Sequence, residues 1–253
     1  MAHKIIISGC NGHMGRVVES ICAADPEVTV VAGFDVNQAS RDYPVYVSPA
    51  NFTGEADAVI DFSSPAALEG LLAFALERKV PLVLATTGYS DEQLEQIQQA
   101  SKSVAIFRSA NMSLGINVLL ELVKKASAVL GDSYDIEIVE KHHNRKVDAP
   151  SGTALMIADA AASALNFEPE YVYERHSVRQ SRDKKEIGIS AMRGGTIVGV
   201  HEIMFAGRDE IIEIKHTAMS REIFANGAVK AAKFLAGVTA PGMYDMSMLV
   251  ERN

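Results

Sequence analysis

A chain of 253 residues is long enough for one large α/β domain or two modest ones with buried cores. Hydrophobic residues make up 48% and charged residues 22%, which excludes a disordered chain, and a net charge of -8 argues against general binding to nucleic acid or an anionic membrane. The only cysteines, Cys10 and Cys22, argue against a disulfide scaffold and fit a reducing cytoplasm.

The predicted elements begin with an apolar strand, KIIISG (Lys4 to Gly9), followed by a helix from Met14 to about Ala24 that carries Val17, Val18 and Ile21. The opening MAHKIIISGC holds too short an apolar stretch for a signal-peptide core, and no run approaches the ~18 residues of a membrane span. A cytoplasmic protein without membrane partners is expected. Further strands are read at VTVVAGFD (Val28 to Asp35), ADAVIDFS (Ala56 to Ser63), PLVLATTG (Pro81 to Gly88) and SVAIFRSAN (Ser103 to Asn111). Helices intervene at Ala66 to Arg78, after the cap-and-proline pair Ser64-Pro65, and at Asp91 to Ala100. Continuous apolar strands alternating with helices predict a parallel sheet covered on both faces, a Rossmann-type doubly wound α/β fold.

After Asn111 the texture changes. A long amphipathic helix (Gly115 to Gly131) precedes an alternating strand, DIEIVEKH (Asp135 to His142), and an alanine-rich helix (Ser151 to Leu165). IGISAMRGG, VGVHEIMFAG and DEIIEIKHT then follow as three alternating strands, separated by turns at Gly194-Gly195 and Gly207-Arg208-Asp209. Period-two alternation with short turns predicts an inserted α+β domain with an open mixed, mostly antiparallel sheet, one face of it free for solvent or a partner. A last helix runs from Arg221 to Leu235.

Three glycines, Gly9, Gly12 and Gly15, stand as G-x-x-G-x-x-G between the first strand and the first helix. Such a loop lets backbone N–H groups approach a pyrophosphate at a helix N-terminus. Asp35, at the end of the next strand, is placed to bond adenosine ribose hydroxyls, so Gly9, Cys10, Asn11, Gly12, His13, Met14 and Asp35 form a candidate dinucleotide site. A carboxylate there repels a 2′-phosphate, and Val36, Asn37 and Gln38 supply no cation. NADH is therefore the expected cofactor, with NADPH tolerated and Arg16 the candidate cation for it. Ligands of open parallel sheets sit outside the carboxyl ends of the strands, which adds Ala85, Thr86, Thr87, Ser109, Ala110, Asn111 and Met112 to the candidate crevice.

The run HHNRKVDAPSGTA (His142 to Ala154) lies between a strand and a helix. Ser151, Gly152 and Thr153 fall at a helix N-terminus, where N–H groups, a hydroxyl cap and the dipole favour a carboxylate. His142, His143, Arg145 and Lys146 crowd donors beside it, more than one carboxylate requires, which points to a dicarboxylate or a developing negative charge. A histidine or lysine there can also deliver a proton after hydride transfer. Metal binding by His142 and His143 with Glu140 is the weaker alternative, because neighbours on a strand face opposite ways; no metal is expected. A solvated loop is the other.

GCNGHMGR, the ATTG strand end, SANMSLGINVLL, EKHHNRKVDAPSGTAL and FANGAVKAAKFLAG together resemble, almost end to end, the dihydrodipicolinate reductase family of bacterial and plant lysine biosynthesis. The resemblance implies nicotinamide-dependent reduction of a small cyclic dicarboxylate, 4-hydroxy-tetrahydrodipicolinate, to tetrahydrodipicolinate with loss of water. It implies catalytic roles for His142 and Lys146, substrate contact by His143, and a carboxylate held by Gly152 and Thr153. It also implies a dinucleotide-binding domain from residues 1–112 and 220–253, and an inserted substrate and oligomerisation domain, 113–219, that builds a homotetramer through its open sheet. Where some members have an acidic residue followed by Arg, this chain has Asp35-Val36, and Asn144-Arg145 stands where some relatives have Arg-His. How His142, His143 and Lys146 share the proton work stays open. The alternatives are a related dehydrogenase of amino or imino dicarboxylates, or a nucleotide sensor without turnover.

Overall fold

The computed structural model describes residues 2–251, with no side-chain description for the last of these. In chain order the elements are β1 (His3–Ser8), α1 (His13–Ala24), β2 (Val28–Phe34), β3 (Val45–Tyr46), β4 (Ala58–Asp61), α2 (Leu68–Arg78), β5 (Leu82–Leu84), α3 (Asp91–Ala100), β6 (Ala105–Arg108), α4 (Leu114–Leu130), β7 (Asp135–His142), α5 (Gly152–Ala162), β8 (Glu170–Val172), β9 (Glu186–Arg193), β10 (Gly199–Ala206), β11 (Ile211–Ala218), α6 (Glu222–Ala236), β12 (Gly242–Tyr244) and α7 (Met246–Glu251). They group into two compact units, one of residues up to Leu114 together with those from Glu222 onward, the other Gly115–Arg221.

The first unit is a seven-stranded sheet in the order β12-β6-β5-β4-β1-β2-β3, every pairing parallel. Both faces of β1 are covered, which is why KIIIS carries no polar alternation: Ile5 and Ile7 join the core under α1 and α6, while Ile6 joins the core under α2 and α3. Small residues bring α6 close to the sheet: Ala225, Gly227, Ala228, Ala231 and Ala232 are buried. A β-carbon at Gly227 would overlap the Met112 carbonyl oxygen, so glycine is required where α6 crosses the loop after β6. Lys233 then ties α6 to the α1–β2 turn through Asp25 (2.9 Å) and Glu27 (2.5 Å). The residues from Glu222 onward thus return to complete the sheet that the chain's first residues start.

The sheet order changes direction at β1, which pairs with β2 on one side and β4 on the other. In open α/β sheets this switch point is where ligands enter, outside the carboxyl ends of the strands. α3 opens on a capping box, Ser90 accepting from the Gln93 amide while Gln93 accepts from Ser90. Among the described residues no helix is long and apolar enough to cross a membrane.

The second unit is a five-stranded mixed sheet, β11-β10-β7-β9-β8, with two antiparallel and two parallel pairings. β9 and β10, on either side of Gly194-Gly195, are not neighbours; β7 lies between them, and the pairings divide evenly where a mostly antiparallel sheet is expected. That placement matters for the site, because it sets His142 opposite Arg193 on one side and Glu140 opposite His201 on the other. One face of this sheet packs Ile136, Ile138, Ile187, Ile189, Ile203 and Phe205 against α4 and α5.

Candidate active site

In the first unit the glycine loop bends tightly around the end of β1. Gly9 has φ +78°, and a β-carbon there would meet the Phe62 carbonyl oxygen at 2.8 Å. One at Gly15 would overlap the Gly9 carbonyl oxygen, and Gly12 caps α1 with no side chain over its N-terminus. This is a backbone cradle that side chains would fill, and it fits a dinucleotide pyrophosphate at the positive end of a helix. Asp35 is fixed beside it, accepting the Asn11 N–H at Oδ2 (2.8 Å) and the Asn37 N–H at Oδ1 (2.8 Å). A cavity of about 540 Å³ lined by Asn11, His13 and Arg16 adjoins the loop. Met14 is half-buried on α1, whereas Cys10 is buried in the core, with its thiol pushed up to about 11 by burial first and then by the Asp35 charge.

The other predicted cofactor residues follow β5 and β6. Ala85 and Thr86 are half-buried and Thr87 exposed; Ala110 is exposed, and Asn111 and Met112 are buried. Ser109 Oγ donates to the Asn111 carbonyl (3.1 Å), and Asn111 Oδ1 accepts the Ser113 N–H (2.8 Å), which fixes that loop. One cation escapes a local reading of the sequence. Arg41, six residues past Asp35, folds back so that Nε donates to Asn11 Oδ1 (2.8 Å) and Nη1 pairs with Glu19 (3.1 Å).

In the second unit the alternation of β7 decides the site. Its burial pattern places Ile136, Ile138, Glu140 and His142 on the covered face, and His143 begins the turn that follows. The Gly194-Gly195 turn holds this end: the Gly194 N–H donates to the His142 carbonyl (2.9 Å) and the Asn144 N–H to the Gly195 carbonyl (3.2 Å). Glu140 has no exposure, and its carboxylate is fully engaged. Oε1 accepts from Arg193 Nη2 (2.7 Å) and the Ser151 N–H (3.0 Å); Oε2 accepts from Arg193 Nη1 (2.8 Å) and lies 2.6 Å from His142 Nδ1. Burial pushes this carboxyl up, but Arg193 and then His142 outweigh it and hold it below the usual carboxylate range.

Ser151 is the N-cap of α5: its Oγ accepts the Ala154 N–H (3.1 Å) and lies 2.9 Å from His201 Nε2. Gly152 and Thr153 form the first turn, where N–H groups have no earlier helical carbonyl to bind. Lys146 Nζ pairs with Asp148 (2.7 Å), an ion pair that holds the Asp148 carboxyl low. His143 keeps its Nδ1 buried without a hydrogen-bond partner, and its ring is pushed down by burial first and then by Arg221, Arg145, His142 and Lys146. Among the described residues no group of three or more His, Cys, Asp or Glu is arranged to hold a metal ion. Arg193 and His201 are not among the expected site residues, and Glu140 is there only as part of the weaker metal alternative. The available signal was a glutamate two positions before a histidine on the buried face of a strand, where a carboxylate needs a cation.

A doubly wound parallel sheet with a glycine-rich first turn, carrying an inserted mixed sheet, has the architecture of a Rossmann-type dehydrogenase. The family profiles described as dihydrodipicolinate reductase, N-terminus and C-terminus, match residues 3–112 and 115–250. The 4-hydroxy-tetrahydrodipicolinate reductase of Caldanaerobacter subterraneus subsp. tengcongensis is 55% identical over 252 residues, covering 100% of both chains. That of Clostridium tetani is 49% identical over 248 residues, 98% of this chain and 96% of its own. The solved dipicolinate-bound dihydrodipicolinate reductase from Paenisporosarcina sp. TG-14 shares the fold, with a TM-score of 0.81 at 22% identity over 97% of this chain and 98% of that one. The chain belongs to the dihydrodipicolinate reductase family.

His201 offers a test of the site's electrostatics. Burial first, and then the charge of His142, push its ring from the ordinary 6.5 down to about 4. Between these values the unfolded chain binds a proton that the native one does not, so the contribution is complete above the unfolded value and is lost as pH falls toward the folded one. Native stability should fall by up to about 3 kcal/mol from this group between pH 6.5 and 4. Urea unfolding at several pH values should show a shallower slope over that window in His201→Gln; an equal slope would contradict the assignment.

Proposed function

We propose that this chain reduces 4-hydroxy-tetrahydrodipicolinate to tetrahydrodipicolinate, with NAD(P)H as reductant, in the diaminopimelate route of lysine biosynthesis. The observation that carries the reading is that Glu140 joins the His142 ring to the Ser151 N–H at the cap of α5, with His143 and Lys146 on the segment between them, in a member of this family. The substrate is a small cyclic dicarboxylate, the ligand class suited to a helix N-terminus preceded by a segment rich in cations. When bound, the nicotinamide supplies the hydride.

The residues divide the rest. The Ser151-Gly152-Thr153 turn takes one substrate carboxylate, and His143, among Arg145, Lys146 and Arg221, contacts the substrate. Loss of the hydroxyl as water takes up a proton on oxygen and releases one from carbon. Hydride addition takes up one more, so the reaction consumes one proton overall. His142 and Lys146 carry these transfers: His142 presents Nε2, since Nδ1 is engaged by Glu140, and Lys146 is held ready by Asp148.

In the first unit the cradle formed by Gly9 to Met14 takes the pyrophosphate, Asp35 the ribose, and Ala85 to Thr87 with Ser109 to Met112 line the rest of the cofactor groove. NADH is preferred because Asp35 repels a 2′-phosphate. Arg41 and Arg16 supply the cations that let NADPH serve as well. Assembly as a homotetramer through the inserted sheet is supported by its uncovered apolar residues, Met192, Ile211 and Ile212. A cytoplasmic setting suits two buried free thiols.

Lys146→Ala should lower turnover by about 100-fold or more while NADH affinity, followed by nucleotide fluorescence, stays within about twofold. Near-normal turnover would refute its role. Separately, kcat/KM should be higher with NADH than with NADPH. Equal or better efficiency with NADPH would overturn the stated preference.

A further inference from the structure

Glu140 makes four contacts at the centre of the second unit's site, yet none of the roles above is its own. We propose that Glu140, clamped by Arg193, is the positioning residue of the active site: it fixes the tautomer and ring orientation of His142 and locks that ring to the N-terminus of α5. The inference rests on reading His142 as a proton-transfer group.

The argument starts from hydrogen counting. An ionised carboxylate only accepts hydrogen bonds, so the 2.6 Å contact from His142 Nδ1 to Oε2 requires the hydrogen on Nδ1. The neutral ring then carries its lone pair on Nε2. Glycine at 199 leaves that nitrogen uncrowded; a β-carbon there would stand 3.2 Å from it. Glu140 has to be ionised for this to hold, and the two-pronged Arg193 guanidinium, at 2.8 and 2.7 Å, keeps it so inside the protein.

The same ion pair reaches the other parts of the site. Glu140 Oε1 accepts the Ser151 N–H at 3.0 Å, which sets where α5 begins. Arg193 Nη2 also donates to the Asp148 carbonyl at 2.6 Å, which fixes the segment that pairs with Lys146. Proton donor, imidazole and carboxylate grip are thereby held in one frame. A purely structural ion pair would hold the fold without selecting which nitrogen of His142 bears hydrogen, and this separates the two roles.

In Glu140→Gln the introduced amide can turn its NH₂ toward His142 Nδ1, and the ring must then move its hydrogen to Nε2. Histidine ¹⁵N NMR should report Nδ1–H in the parent protein and Nε2–H in Glu140→Gln, with kcat/KM lowered about tenfold or more and NADH affinity kept within about twofold. Glu140→Asp, which keeps the charge, should restore the Nδ1–H form and part of the rate. An Nε2–H ring in the parent, or an unchanged tautomer and rate in Glu140→Gln, would overturn the proposal. Should that variant fail to fold, Glu140→Gln/Arg193→Gln removes the stranded guanidinium and is read by the same two measurements. The NMR readout needs no substrate, so a parent protein that fails to turn over would count against the proposed function and leave this result to stand by itself.

Discussion

A carboxylate with no contact to solvent has to be matched in charge and in hydrogen bonds, and most of the second unit's site follows from how Glu140 meets that demand. The match comes from Arg193, on a strand 53 residues away, delivered by the parallel register that sets His142 opposite Arg193. On the other side the antiparallel register sets Glu140 opposite His201, whose ring meets the Ser151 cap. Removing one partner of such a buried pair leaves an uncompensated charge, a loss of about 3–5 kcal/mol. The interaction therefore couples the packing of the sheet to the chemistry at its end.

The first unit solves a different problem with the opposite means. There the candidate cofactor cradle is made of backbone, and side chains are absent from it: Gly9 and Gly15 allow the turn, and Gly12 opens the N-terminus of α1. At the rim, Asp35 is pinned by two backbone N–H groups and Arg41 by Asn11 and Glu19.

Much of this was legible in the residues. The apolar run of β1, the glycine loop, the helix α3 and the alternation of β7 each carry a local pattern, and β1, α3 and β7 fall within a residue of those expectations, whereas β5 ends four residues and α5 three residues before theirs. β3, β8 and β12 span only two or three residues and carry no periodicity to read. The insertion of β7 between β9 and β10 is a matter of pairing between distant segments, which a short Gly-Gly turn does not reveal. The site divides in the same way. The cations and the Ser-Gly-Thr turn are contiguous in the chain, whereas Arg193, His201 and Arg41 acquire their meaning only when strands or loops bring them to Glu140, Ser151 and Asn11. Glu140 stands on the buried face of the β7 alternation, where a carboxylate requires a cation, and that cation comes from a strand distant in the chain.

The proposed function requires that the segment from His142 to Thr153 serve the reduction of a cyclic dicarboxylate. The most direct test follows nucleotide absorbance in steady state with enzymatically generated 4-hydroxy-tetrahydrodipicolinate, and with aspartate and NAD⁺ as the competing open-chain case. Rapid NADH oxidation that depends on the cyclic substrate, one nucleotide per molecule, with no reaction on aspartate, is the predicted result. No oxidation with the cyclic substrate, or turnover of aspartate at a comparable rate, would contradict it.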